Sequence, residues 1–167
     1  ASTHDRITPD VLQNPAKHLR TIQTCAANYM KRGRFGEALH LLEIVLECQR
    51  KQNGPLHEDV GGALHNVGIA YLRMKHHYKA LQSFEEAVRV RKSALGRDHP
   101  QVAVSLVKVG VTLMLLTRLE DSLWIFREAL TVRKTTMGAL HPSTARIYNN
   151  IGCVHVEFQE LTEARRA

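Results

Sequence analysis

The sequence predicts an all-α fold, a right-handed superhelical solenoid of antiparallel helix pairs. Three observations carry that prediction. A pattern returns every 42 residues: Gly54, Gly96 and Gly138 share one register, and His57, His99 and His141 share another. Two apolar stripes with helical spacing follow each return. A small residue, Ala26, Gly68, Gly110 or Gly152, recurs at one place in the first stripe. Self-similarity at such a period marks units that bury their apolar faces only against neighbouring units.

The elements follow in order. Residues 1–15 show no period and read as an N-terminal arm. Repeats follow at about 16–57, 58–99 and 100–141, with a partial repeat at 142–167. First helices are expected at about 15–32, 58–75, 100–117 and 142–158. Second helices are expected at about 35–52, 77–94 and 119–136, with a fragment from about 161. In the second repeat the first stripe is Leu64, Val67, Gly68, Tyr71 and the second is Ala80, Leu81, Phe84, Ala87, Val88. Steps of three and four residues place each set on one helix face.

The breaks have local causes. Pro15, Pro100 and Pro142 each suit the first turn of a helix, where a missing N–H costs nothing. Gly54, Gly96 and Gly138 suit helix C-caps, and Gly33 lies between two helices. Glycine in mid-helix costs roughly 1 kcal/mol relative to alanine, so its return predicts a close approach of a neighbouring helix. Ala38, Ala80, Ser122 and Ala164 supply the expected small site on the second helices.

Composition narrows the function. The chain has 167 residues, is 44% hydrophobic and only 5% aromatic, which suits closely stacked aliphatic helices. No apolar run approaches the roughly 18 residues that span a membrane. The chain begins with Ala and stops inside a repeat, so it is expected to be an excerpt of a longer protein. The three cysteines form no C-x-x-C pair. Cys25 and Cys153 fall in expected helices as small packing residues, which favours a reducing, cytoplasmic setting.

The residues "LHNVGIAYL…KALQSFEEAV" resemble a tetratricopeptide repeat, whose usual period is about 34 residues. The stretch "AVRVRKSALGRDHPQVA" resembles the kinesin light chain type of that repeat. The resemblance implies a non-enzymatic adaptor or scaffold whose first helices line a concave groove for an extended peptide. It also implies that an asparagine in the first helix holds the peptide backbone. The matching residues are Asn66 and Asn150, with Thr24 and Lys108 at the same place in the other repeats.

Charge gives that groove a sign. The net charge is +7. The first helices carry Lys17, Arg20, Lys31, Arg32, Arg73, Lys75, Lys108, Arg118 and Arg146, against Glu58, Asp59 and Glu157, while the second helices are nearly balanced. A cleft lined by one sign attracts the other. The expected ligand is therefore an acidic, extended peptide, held by Asn66, Lys108, Asn150, Arg146, Arg73 and His65. Lys108 stands in the apolar stretch "SLVKVGVTLMLL" and must face water or a ligand, because burying it unpaired is expensive.

Other functions find less support. His57, His99 and His141 lie a repeat apart, too far to share a metal ion, and take helix-start roles. No G-x-S-x-G, H-E-x-x-H or phosphate-binding glycine loop occurs, so no catalysis and no cofactor are expected. RNA binding ranks low, because Val104, Val107, Val111 and Met114 make the groove mixed. The alternative is a structural or regulatory array that self-associates. Its C-terminal end is expected to leave Ile151, Val154 and Phe158 partly uncovered.

Overall fold

The computed structural model describes residue 11 and residues 13–164, with the side chain of Ala164 left out. The expected arm thus falls almost wholly outside the described residues, as does the small site at Ala164. The helices are α1 (Leu19–Lys31), α2 (Phe35–Asn53), α3 (Glu58–Arg73), α4 (His77–Leu95), α5 (Pro100–Leu115), α6 (Leu119–Met137) and α7 (Pro142–Ala164). No strand occurs among the described residues. Two compact units emerge, Ala1–Val90 and Arg91–Ala167.

The repeated glycines and histidines do the same work in each repeat. Gly54, Gly96 and Gly138 take φ of 86°, 89° and 88°, left-handed values that strain a side chain. Three residues later His57, His99 and His141 turn Nδ1 back to accept the backbone N–H of Asp59, Gln101 and Ser143 at 3.1–3.2 Å. Each ring thereby caps a helix whose first donors have no partner within it. Pro100 and Pro142 start α5 and α7. Pro15 differs. It occupies the place of the capping histidine and cannot cap, so the chain passes through a turn (His18 N–H to Pro15 O, 3.2 Å) and α1 begins only at Leu19.

Within the first unit, Ile22, Val45, Leu46, Val60, Leu64 and Val67 form the core. The close approach predicted at Gly68 is made by a ring. A Cβ there would lie 2.6 Å from Phe84 Cε1 on α4. In the second unit Phe126 on α6 lies equally close to Gly110, and Ser122 donates its hydroxyl to Gly110 O at 2.8 Å. Both rings are fully buried. The first repeat has Ala26 and Leu42 in these registers, a larger small residue with a smaller large one.

The helix pairs turn at Gly33, Lys75 and Thr117, which share a register and all take φ between 60° and 75°. A fourth turn was expected at 159–160 and does not form. Gln159 stays helical, its Nε2 donates to Glu163 at 3.1 Å, and α7 runs on to Ala164. Gln, Glu and Leu are good helix formers, and no second helix among the described residues draws the chain back.

Candidate functional site

The sequence-predicted residues distribute over both units. In the first, Asn66 and Arg73 are exposed on α3, beside the half-buried Ile69 and Leu72. Their counterpart on α1, Thr24, is exposed and gives its hydroxyl to Arg20 O at 2.9 Å. His65 is turned the other way. It is 8% exposed, and its ring stands 5.5 Å from that of Phe84. One residue shifts direction by about 100° on a helix, which takes the ring of His65 into the core while Asn66 faces solvent. His65 is therefore a packing residue, not a ligand contact.

In the second unit Lys108 is half-buried on α5 among Val104, Val107 and Val111, which are also partly open. Arg146 is exposed and Asn150 half-buried on α7. They are four residues apart and share a face. This surface offers aliphatic contact, two cations and an amide that can both donate and accept. Arg118 does not join it. Its guanidinium pairs with Asp121 at 2.6 Å across the start of α6, as Arg34 pairs with Glu37 at 2.8 Å at the start of α2. The Arg34 guanidinium also holds the Glu37 carboxyl below its ordinary range.

Several polar features escaped the sequence reading. Arg50 reaches Glu86 at 2.9 Å in the first unit, and Lys92 reaches Glu128 at 2.6 Å in the second. The two pairs share a register and link successive second helices. In the first unit Arg50 and Glu86 border a cleft of about 500 Å³ floored by Leu46, Leu64 and Val67. Tyr71 gives its hydroxyl to Glu43 there at 3.2 Å. Burial, and then the nearby Glu43 carboxylate, push the Tyr71 phenol above its ordinary value. In the second unit Arg91 is buried and donates to Ser105 Oγ at 2.7 Å and Gln101 O at 3.0 Å, with burial lowering its pKa.

Cys25 and Cys48 are buried thiols, and burial raises the pKa of Cys48. Cys153, expected to pack, is exposed. Among the described residues no group of three His, Cys, Asp or Glu side chains stands ready to hold a metal ion. No described helix is long and apolar enough to cross a membrane.

The model of the tetratricopeptide repeat matches residues 19–93, 59–133 and 101–167. No curated protein matches the chain in sequence. Among solved structures, the nearly identical TPR-like repeats of a Podosopora anserina kinesin light chain protein superpose with a TM-score of 0.76 at 20% identity, over 89% of this chain and 71% of that one. BtubC (BKLC) from P. vanneervenii gives 0.76 at 18% identity, over 96% of this chain and 62% of that one. The Rap conjugation gene regulator of plasmid pLS20, in complex with the Phr* peptide, gives 0.71 at 18% identity, over 98% of this chain and 45% of its own. At such identities the likeness concerns the fold.

Proposed function

The chain belongs to the tetratricopeptide repeat family, with repeats of the kinesin light chain type, and from that premise we propose that it is a protein-binding scaffold or adaptor module for an extended, acidic peptide segment. The carrying observation is one register of the first helices. Asn66, Lys108 and Asn150 stand in it, Asn66 exposed and Lys108 and Asn150 partly exposed. Asparagine can bond a peptide backbone through both its N–H and C=O, which gives affinity without sequence preference. Lys108 and Arg146 in the second unit, and Arg73 in the first, add a preference for acid. The partly open valines of α5 admit aliphatic side chains between charges. The peptide seen on the Rap regulator, similar in fold, supports a peptide as the class of ligand. The work is binding, not catalysis, and the buried thiols Cys25 and Cys48 suit a reducing, cytoplasmic setting.

The test is binding of acidic, neutral and basic extended peptides at low and moderate salt. Charge at such a face mainly governs association rate and salt dependence. Lys108→Glu with Arg146→Glu should weaken the acidic peptides and flatten their salt response. Asn66→Ala and Asn150→Ala should weaken all peptides alike. A preference for basic peptides, or indifference to all four changes, refutes the site.

A further inference from the structure

The turn inside the second repeat departs from its counterparts in charge. At the starts of α2 and α6 a cation is neutralised three residues on, Arg34 by Glu37 and Arg118 by Asp121. The same registers at the start of α4 hold His76 and Lys79. Lys79 thus stands in the first turn of α4, where the helix dipole disfavours a cation. Lys75 takes φ of 61°, in the register where the first repeat uses Gly33. Neither lysine serves the fold, and both add charge to one place. No carboxylate occurs between Val60 and Phe84, and between Leu19 and Leu42 there is only Glu37, already paired.

The turns of the first two repeats share an edge of their unit. α1 and α3 contribute to one core, and as first helices of successive repeats they run the same way, so both end at that edge. Lys31 and Arg32 stand exposed at one turn, and Arg73, Lys75 and Lys79 at the other. The Tyr71 ring holds two groups there: His76 stacks on it with centroids 6.3 Å apart, and the Lys79 ammonium lies 5.6 Å from its centre. Tyr78, 76% exposed, adds an outward phenol beside them.

We propose that this edge is a docking surface for an anionic lipid bilayer. Charge complementarity selects an anion, and the layout selects a flat one. The cations crown two turns, so a sheet of negative charge meets them together, whereas an extended acidic chain meets only a few at a time. Clustered Lys and Arg are drawn to anionic headgroups, each adding to the attraction. An exposed phenol among them suits the headgroup level, where its ring is partly in apolar surroundings and its hydroxyl in water. The contact is peripheral, since no described helix is long and apolar enough to cross a membrane. It lies outside the proposed peptide contacts except for Arg73, which the test leaves unchanged.

The experiment is cosedimentation of the 167-residue chain with lipid vesicles, with circular dichroism of each variant. Binding is expected to phosphatidylcholine vesicles containing about 30% phosphatidylserine at about 0.1 M salt, and not to phosphatidylcholine alone. Lys75→Gly with Lys79→Glu copies Gly33 and Glu37 of the first repeat, so the fold is kept while two cations go and one anion is added. At about fivefold per charge near the surface, vesicle affinity should fall about a hundredfold. Arg97→Ala with Arg127→Glu is the matched control. It copies Ala139 and Glu85, changes net charge equally, and alters exposed residues of the second unit. It should weaken vesicle binding by less than about fivefold. No cosedimentation, equal losses from the two variants, or tighter binding of a single-stranded RNA or an acidic peptide than of the vesicles through Lys75 and Lys79 overturns the proposal.

Discussion

Gly110→Ala is the sharpest probe of how the repeats are packed. The added Cβ would stand 2.6 Å from Phe126 Cε1, 2.8 Å from Cδ1 and 2.9 Å from Cζ. The ring is 0% exposed and Ala129, one turn along the same helix, is also fully buried, so the ring has little room to retreat. Two opposing effects set the result. Alanine gains roughly 1 kcal/mol over glycine in a helix interior. Overpacking costs about 1–3 kcal/mol. The control is Gly62→Ala, in mid-helix on α3 with nothing within 4 Å of its Cβ, which takes the gain without the clash. The two variants should therefore differ by about 1–3 kcal/mol in unfolding free energy. In a chain of this length each kcal/mol moves the melting temperature by about 2–4 °C. Thermal and urea unfolding of the pair measure it. The first repeat supplies a rescue, since Ala26 and Leu42 stand in the registers of Gly110 and Phe126. Adding Phe126→Leu to Gly110→Ala should cost less than the sum of the single changes. Equal shifts for the Gly62 and Gly110 variants, or additive single changes, refute the reasoning.

Two further predictions concern the buried polar groups. Ser105→Ala removes one of two acceptors from the buried Arg91 guanidinium, and a lost hydrogen bond to a buried charge should cost about 1.5–3 kcal/mol in urea unfolding; an unchanged midpoint would show that water replaces the hydroxyl. Cys48 and Tyr71 both have pKa values raised above their ordinary 9.0 and 10.0. Groups raised in the folded state contribute stability that is whole below the ordinary value and lost as pH climbs through the folded one. The melting temperature should therefore hold to about pH 9 and fall above it, and the Cys48→Ala, Tyr71→Phe double variant should fall less steeply.

The features legible in the sequence are those whose cause lies within a few residues. A left-handed φ asks for Gly54, Gly96 and Gly138, and an uncapped helix start asks for His57, His99 and His141, so each leaves a mark at fixed spacing. The small site at Gly68 and Gly110 was legible as a close approach, but not what approached, because the ring comes from another helix. Arg50–Glu86 and Lys92–Glu128 are 36 residues apart and depend on how second helices stack, which periodicity does not encode. Errors came where a register was followed too literally. Pro15 stands in the register of a capping histidine without being able to cap, and Gln159 stands in the register of a turn without turning. Val154, expected to be uncovered, is fully buried, because it points toward its own unit while Tyr148 and Val156 point out.

A repeat protein offers several versions of one site within a single chain, and their differences separate folding from recognition. Where all repeats agree, a local backbone demand explains the agreement. The register of Thr24, Asn66, Lys108 and Asn150 differs in chemistry yet stays polar, exposed at Thr24 and Asn66 and partly exposed at Lys108 and Asn150. Folding asks little of such a position, so Lys108→Asn, which copies its two neighbours in the register, should leave the fold intact. Asparagine is a slightly poorer helix former than lysine, worth a few tenths of a kcal/mol, and the melting temperature should fall by no more than about 2 °C. Binding should change in kind. A second unit with asparagine at both 108 and 150 keeps its grip on the peptide backbone and loses one of its two cations. Acidic and neutral peptides should then converge in affinity, and the salt dependence of acidic-peptide binding should shrink, while total affinity for neutral peptides holds or rises. Measured by fluorescence anisotropy over a salt series, an undiminished acidic preference would place the electrostatic selection elsewhere than Lys108. A large loss of stability would instead make Lys108 part of the scaffold.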